Sequence, residues 1–278
     1  MSRVFLNGSI VPAEDARVPL TDRGLWYGDG LFETIRALEG RPCFWERHIS
    51  RLTEGARFLR IALPQSPESL KQAVVELLRA NATTDAVVRV MLTRGTGARG
   101  YSPRGADSPT LAMTVHARML PAAALTLRTA SMRVAAGDVL ARFKTANKLV
   151  SVLARAEAED NGADEALLLN TDGYLAEAAA CNVFWISAGR IYTPPLAAGA
   201  LSGVMRSVLL ETQRQEGDPV VEQLATPADV RVSEGMFLTN STQGVIPVTR
   251  WDGQAMPQPP RMRTLRQKLE EETRRSAG

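Results

Sequence analysis

Leu31-Phe32-Glu33-Thr34-Ile35-Arg36-Ala37-Leu38-Glu39-Gly40-Arg41-Pro42-Cys43-Phe44-Trp45 decides the fold class, because it reads as a strand, a turn at Glu39-Gly40 and a return strand. The period then changes. From Trp45 to about Leu59 the apolar positions Ile49, Leu52, Ala56 and Leu59 recur at helical spacing. A hairpin running straight into an amphipathic helix predicts mixed α and β structure. Toward the N-terminus, Val4 to Val11 predicts another hairpin, since Asn7-Gly8 suits a type I′ turn. Toward the C-terminus, Ser66-Pro67-Glu68 supplies an N-cap and a first-turn proline for a helix to about Arg79. Val87–Thr93 and Thr110–His116 are strand-like and flank the Gly-rich segment Arg94–Asp107.

Leu120-Pro121-Ala122-Ala123-Ala124 reads as a junction and divides the chain into residues 1–119 and 120–278. Beyond it, strands are expected at Leu125–Val134, Ala166–Leu169 and Tyr174–Ile186, the last two around the Thr171-Asp172-Gly173 turn. A helix is expected from about Ala146 to Asn161, closed by Gly162, and another from Leu201-Ser202-Gly203 to about Gln215. A further strand lies near Met236–Thr239, and Arg261–Arg275 reads as a charged surface helix. Strands and helices do not alternate as in a doubly wound sheet. The predicted class is mixed α/β (α+β) in two domains, a small N-terminal one and a larger C-terminal one.

The 278 residues are 45% hydrophobic and 23% charged, enough for a core and unlike a disordered chain. Net charge is only +3 and both signs mix along the chain, so there is no nucleic-acid footprint. The longest stretches free of Asp, Glu, Lys and Arg, Ile191–Met205 and Gly235–Thr249, are too short to span a membrane. The N-terminal residues show no basic cap followed by an apolar run, and Cys43 and Cys181 make no disulfide framework. A cytoplasmic protein acting on small molecules, with neither nucleic acid nor membrane as partner, is the expectation. The only lysines are Lys71, Lys144, Lys148 and Lys268, so chemistry needing a side-chain amine has few candidates.

Gly95-Thr96-Gly97-Ala98-Arg99-Gly100 matches the dinucleotide fingerprint and follows a strand, but Tyr101-Ser102-Pro103 is a poor helix opening. A flexible basic substrate loop and an ordinary surface loop both remain open there. His48 and His116 have no metal-ligand spacing to a cysteine or carboxylate, so no metal is expected. No G-x-S-x-G elbow supports a hydrolase, and Cys181 reads as core. Lys144, in Ala141-Arg142-Phe143-Lys144-Thr145-Ala146-Asn147-Lys148-Leu149, stands between a strand region and a half-buried helix. Burial can make such a lysine a nucleophile, although this segment alone fits a snorkelling lysine at a helix start.

Six pieces taken in order say more. They are Tyr27-Gly28-Asp29-Gly30-Leu31-Phe32-Glu33-Thr34-Ile35-Arg36, then Arg47-His48-Ile49-Ser50-Arg51-Leu52, then Lys144 to Leu149. Leu175-Ala176-Glu177 through Asn182-Val183-Phe184, Gly203-Val204-Met205-Arg206, and Thr239-Asn240-Ser241 with Pro247-Val248 follow. Together they resemble the fold-type IV family of pyridoxal-phosphate enzymes, which holds branched-chain and D-amino-acid aminotransferases and aminodeoxychorismate lyase. The resemblance implies pyridoxal 5'-phosphate as cofactor, at the junction of the two domains, and a homodimer with shared active sites. It also implies that Lys144 bonds the cofactor and shuttles the substrate proton, and that Glu177 pairs with the pyridine nitrogen. The cofactor phosphate is implied at the helix opening at Gly203, where free N–H groups favour an anion, with Arg51, Val204, Met205, Asn240 and Ser241 around it.

Within that family the segment Arg94-Gly95-Thr96-Gly97-Ala98-Arg99-Gly100-Tyr101-Ser102 is most like the loop of aminodeoxychorismate lyases. Lys148 stands four residues after Lys144, where branched-chain aminotransferases have a tyrosine. D-amino-acid aminotransferases carry an Arg-x-His trap, whereas Arg99-Gly100-Tyr101 lacks the histidine. The resemblance thus implies a lyase converting 4-amino-4-deoxychorismate to p-aminobenzoate and pyruvate, with a class IV transaminase as the alternative. Two substrate carboxylates need cations. Arg99, Arg94 and Arg36 are the candidates, with Tyr101 beside them.

Overall fold

The computed structural model describes residues 2–278. The chain divides into two compact units. One comprises Met1–Met119, Phe143–Asn147 and Thr273–Gly278, the other Leu120–Arg142 and Lys148–Glu272. The division near residue 120 thus carries two exceptions, because the Lys144 segment and the chain end pack with the N-terminal part.

In the first unit β1 (Arg3–Leu6) and β2 (Ser9–Pro12) form a hairpin on Asn7-Gly8, both at positive φ. After α1 (Arg23–Tyr27) come β3 (Gly30–Leu38), β4 (Arg41–Pro42), α2 (Trp45–Leu59), α3 (Pro67–Ala80), β5 (Ala86–Thr93) and β6 (Thr110–Ala117). The strands make an antiparallel sheet in the order β2-β1-β6-β5-β3-β4. The expected cap is present, Ser66 Oγ accepting from Ser69 N–H at 3.1 Å with Pro67 in the first turn. Strand alternation sorts the side chains. Leu31, Ile35, Val88, Val90, Leu92, Leu111 and Met113 face a core with Ile49 and Leu52 of α2 and Leu70, Val74 and Leu77 of α3. Leu70 and Leu77 are fully buried, each contributing about 1.5–3 kcal/mol. The other face carries Phe32, Thr34 and Arg36 of β3, with Arg89 opposite Thr34 and Met91 opposite Phe32.

In the second unit the order is β7 (Leu125–Val134), α4 (Leu149–Asp160), β8 (Glu165–Asn170), β9 (Leu175–Ala178), β10 (Asn182–Ser187), β11 (Arg190–Thr193), α5 (Val204–Gln215), β12 (Val221–Glu222) and α6 (Pro227–Arg231). Then follow β13 (Gly235–Asn240), β14 (Gly244–Trp251), β15 (Gln254–Ala255) and α7 (Arg261–Ala277), which runs on into the first unit. Eight strands pair in the order β12-β11-β10-β13-β14-β7-β8-β9, and β15 pairs with β14. α4 is the crossover between parallel β7 and β8, its Ala154 and Ala158 lying on Ala130, Ala166 and Leu168. Small residues there let the helix approach the sheet closely.

The mixed α/β class is found, with local departures. The helix expected from Ala146 starts at Leu149, because residues 144–146 are bonded to β3 instead. Tyr174–Ile186 is broken into β9 and β10, with Ala178 N–H donating to Cys181 O across the corner. β14 was not expected through Pro247, which precedes the residues that pair with β7. The terminal helix is no mere surface helix: Met262, Leu265, Leu269 and Thr273 form a buried stripe at helical spacing.

Candidate active site

Lys144 is carried by a short non-helical segment laid against the start of β3. Phe32 N–H donates to Lys144 O at 2.9 Å, Ala146 N–H donates to Gly30 O at 2.8 Å, and Leu31 bridges Thr145. Phe143 anchors the segment, its ring 4.6 Å from that of Phe58. Gly28, at φ 64°, passes close to this segment, where a Cβ would stand 3.3 Å from Asn147. The backbone therefore fixes where the lysine leaves the chain. Its Nζ lies 4.5 Å from the centroid of the Phe32 ring, and the Arg89 guanidinium carbon lies 4.3 Å from the same ring. A ring face accommodates each cation through its quadrupole. Arg89 is exposed and makes no ion pair among the described residues.

The opposite face of β3 holds a buried charge cluster. Arg51 donates to Glu33 from Nε at 2.8 Å and from Nη2 at 2.7 Å. His48 Nδ1 lies 2.6 Å from Glu33 Oε2, and the imidazole must donate because the carboxylate has no proton. Burial alone would raise the Glu33 carboxyl, but the Arg51 charge and these hydrogen bonds outweigh it and hold it down to about 2. Burial lowers His48, with the charges of Arg51 and Lys144 adding to it, so the ring is neutral. Arg51, implied as a phosphate ligand, thus has two donors engaged by Glu33.

Arg94, expected on the substrate side, is engaged within its own unit. Nε and Nη2 donate to Asp29, and Nη1 and Nη2 donate to the carbonyls of Arg60 and Leu59. Each nitrogen of this buried guanidinium donates within the unit, which ties β5 to the end of α2. Burial raises the Asp29 carboxyl, but the hydrogen bonds from Arg94 and Arg23 outweigh it and lower it. Arg36 is also buried, on the Phe32 face of β3. Arg99 and Tyr101 are exposed on the β5–β6 loop, Tyr101 at 89%.

The second unit holds the other candidates. Glu177 on β9 accepts from Leu201 N–H at 2.8 Å, and Asn182 Nδ2 donates to Leu201 O at 2.8 Å. One residue is thus gripped at both its N–H and its carbonyl just before α5. Gly203 is the N-cap residue of α5 and no side chain caps the helix. The first-turn N–H groups, at the buried Val204 and Met205 and at Arg206, thus have no side-chain acceptor. A Cβ at Gly203 would stand 1.9 Å from Asn182 Oδ1, so only glycine permits this approach. Thr239, opposite Asn182 in the β10–β13 register, has a buried hydroxyl with no hydrogen-bond partner. Asn240 Oδ1 accepts from Thr242 and Gln243 N–H and its Nδ2 donates to Cys181 Sγ, and Ser241 follows half-buried. An uncapped helix start beside an orphaned hydroxyl fits a phosphate, and a backbone-held carboxylate fits a protonated ring nitrogen.

The structure thus gathers Arg36, Arg51, Arg94, Arg99, Tyr101 and Lys144 in the first unit and Glu177, Val204, Met205, Asn240 and Ser241 in the second. Arg89, Arg23, Glu33 and Thr239 were not singled out from sequence. Arg89 had a visible signal, a lone charge within Val87-Val88-Arg89-Val90-Met91-Leu92. Among the described residues no helix is long and apolar enough to cross a membrane.

Residues 30–251 match the family described as Amino-transferase class IV. A Methanocaldococcus jannaschii protein named "Putative branched-chain-amino-acid aminotransferase" is 36% identical over 91% of this chain and 89% of its own length. The aminodeoxychorismate lyase of Vibrio harveyi is 30% identical over 84% of this chain and 86% of its own. Among solved structures, the 4-amino-4-deoxychorismate lyase of Pseudomonas aeruginosa aligns with a TM-score of 0.87 at 33% identity, covering 96% of this chain and 98% of that one. The T.th. branched-chain amino acid aminotransferase, solved with pyridoxamine 5'-phosphate, aligns with a TM-score of 0.91 at 29% identity, covering 99% of this chain and 95% of that one. The chain belongs to the class IV aminotransferase family.

Proposed function

We propose that this chain is a pyridoxal 5'-phosphate enzyme that converts 4-amino-4-deoxychorismate to p-aminobenzoate and pyruvate. One observation carries the reading. In the unit that holds Lys144, the exposed Arg89 lies on the same Phe32 ring as Lys144 and the exposed Arg99 lies on the β5–β6 loop, neither with a carboxylate partner among the described residues. They answer the two carboxylates of that substrate. The similarity to two lyases supports the same choice.

Lys144 would bond the cofactor, and its amine would serve as the base at the substrate carbon that bears the amino group. Glu177, which accepts from Leu201 N–H, would hold the proton on the pyridine nitrogen, and the α5 start with Ser241, Asn240 and Thr239 would hold the phosphate. When bound, the cofactor supplies an electron sink for the developing carbanion. As Lys144 takes the C4 proton, the ring becomes aromatic and the C–O bond to the enolpyruvyl group breaks. The departing enolate regains a proton and leaves as pyruvate. The protein also acts as a homodimer in this reading, supported by the exposed Leu149, Val152 and Leu153 along α4.

Transamination is the second reading, favoured by the 36% identity to the Methanocaldococcus jannaschii protein. The two part when no keto-acid acceptor is supplied. Purified enzyme given aminodeoxychorismate should form p-aminobenzoate over many turnovers. A single equivalent of keto acid from D-alanine or L-leucine, with no p-aminobenzoate, would overturn the lyase reading in favour of transamination.

A further inference from the structure

We propose that Arg23 is a positioning residue that holds the 95–101 loop in the shape that presents Arg99 to an anionic substrate. The inference rests on the reading above that this loop serves substrate. Arg23 opens α1, yet it is only 4% exposed. Its Nε donates to Asp29 at 2.9 Å, while Nη1 donates to Gly100 O at 2.8 Å and Nη2 to Tyr101 O at 3.2 Å. The guanidinium lies 4.8 Å over the Tyr27 ring, and the Tyr27 hydroxyl accepts from Gly100 N–H at 3.0 Å. The backbone of Gly100 and Tyr101 is thus gripped by one planar fork and one phenol.

The near end of the loop is tied to the same turn. Arg23 N–H donates to Gly95 O at 2.9 Å, Gly97 N–H donates to Thr21 O at 3.3 Å, and Asp22 bridges Thr96. At Gly97 a Cβ would stand 2.8 Å from Arg23 Cδ, so the loop rides directly on the arginine stem. Asp29 joins Arg23 to Arg94, and the strand that begins at Gly30 carries Phe32 beneath Lys144. The backbone of the loop is therefore fixed while the side chains of Arg99 and Tyr101 stay exposed. Fixing the chain beforehand lowers the ordering cost of binding and leaves the chemical step alone. Lysine cannot replace this arginine, because a single ammonium cannot span two carbonyls and a carboxylate in one plane.

The test compares Arg23→Gln, Arg23→Lys and Tyr27→Phe with the unaltered enzyme in cofactor-loaded form. Trypsin cleavage after Arg99 and Arg104 reads the loop without reference to activity. Cleavage there should quicken at least about tenfold in Arg23→Gln, with unchanged far-UV dichroism, and less in Tyr27→Phe. In turnover, KM for aminodeoxychorismate should rise at least about tenfold with kcat within about threefold, and Arg23→Lys should not restore it. Combining Arg23→Gln with Arg99→Ala should raise KM little beyond either alone. Cleavage within about twofold of the unaltered enzyme, a faster cut with unchanged KM, or full rescue by lysine would each overturn the inference. Failure of the lyase reading shows separately, as absence of p-aminobenzoate from the unaltered enzyme. In that case the same KM comparison is made with the amino acid that yields keto acid, and an enzyme turning over neither substrate overturns the substrate role of Arg23.

Discussion

Arg51 closes on Glu33 through two parallel hydrogen bonds, from Nε to Oε1 and from Nη2 to Oε2, inside a unit where His48 also donates to that carboxylate. The Glu33 carboxyl is held at about 2, against 4.5 for an ordinary glutamate. A depressed carboxyl contributes stability that is fully present above the unfolded value and lost as pH falls through the folded one. The contribution is about 3 kcal/mol, fading between those two values. His48 acts at higher pH. Its folded value lies below the ordinary 6.5, so the unfolded chain takes the proton first and stability already declines as pH falls below neutrality. Thermal unfolding followed from pH 7 to pH 2 should therefore show a falling Tm with two components. Glu33→Gln should unfold at lower temperature throughout, having removed the carboxylate that Arg51 and His48 share, and should lack the lower component. An unchanged acid slope in that variant would show that the cluster does not govern acid stability.

Replacing Lys144 should separate cofactor attachment from folding. The segment is held by its backbone, Lys144 O accepting from Phe32 N–H, Thr145 bridging Leu31 and Ala146 N–H donating to Gly30 O, so Lys144→Ala keeps it in place. Turnover should fall by about a thousandfold or more, and the visible band of protein-bound cofactor should vanish. Lys144→Arg keeps the charge over Phe32 yet should fail equally, because a guanidinium stays protonated. Near-normal turnover in either variant, measured by p-aminobenzoate or keto-acid release, would remove the proposed chemistry.

Much of the first unit was legible because its signals are local. Asn7-Gly8 and Glu39-Gly40 turn hairpins, and Ser66-Pro67 opens α3, each by short-range backbone chemistry. What was hidden depends on contacts between distant residues. Nothing in Phe143-Lys144-Thr145 announces pairing with β3 more than a hundred residues earlier. The charged residues of α7 mask the stripe through Leu265 and Leu269. The Asp29 partner of Arg94 is far away in sequence, and its carbonyl acceptors carry no sequence signal at all.

Arg89 should act on binding alone. It is exposed, stacked on Phe32 and outside the core, so Arg89→Ala should cost stability no more than about 1 kcal/mol. KM for an anionic substrate should rise about tenfold or more, with the visible band unchanged. A variant with normal KM would leave Arg89 no part in recognition.

Gly203 tests the phosphate cradle of the second unit. Gly203→Ala places a methyl where Asn182 Oδ1 now stands, so Asn182 must release Leu201 or α5 must shift its first turn. Either change disturbs the N–H groups offered to an anion. Equilibrium dialysis should show pyridoxal phosphate bound about tenfold more weakly or worse, and inorganic phosphate should protect the variant less well against thermal unfolding than the unaltered protein. Equal affinity in both proteins would exclude this helix start as the phosphate site.

Two loop glycines of the same conformational type separate strain from collision. Gly95 (φ 81°) and Gly100 (φ 106°) both lie where side-chain-bearing residues are disfavoured. A Cβ at Gly100 meets nothing within 4 Å, whereas one at Gly95 would stand 1.8 Å from Ser108 O, a backbone atom that cannot swing aside. Gly100→Ala should therefore lose only the conformational term, about 1 kcal/mol. Gly95→Ala adds a main-chain clash at the point where Arg23 N–H grips Gly95 O, and should lose about 3 kcal/mol or more. Denaturant unfolding of both variants, read at constant m-value, gives the difference directly. Equal losses would mean that the loop relaxes around residue 95 and that its two ends are not held independently.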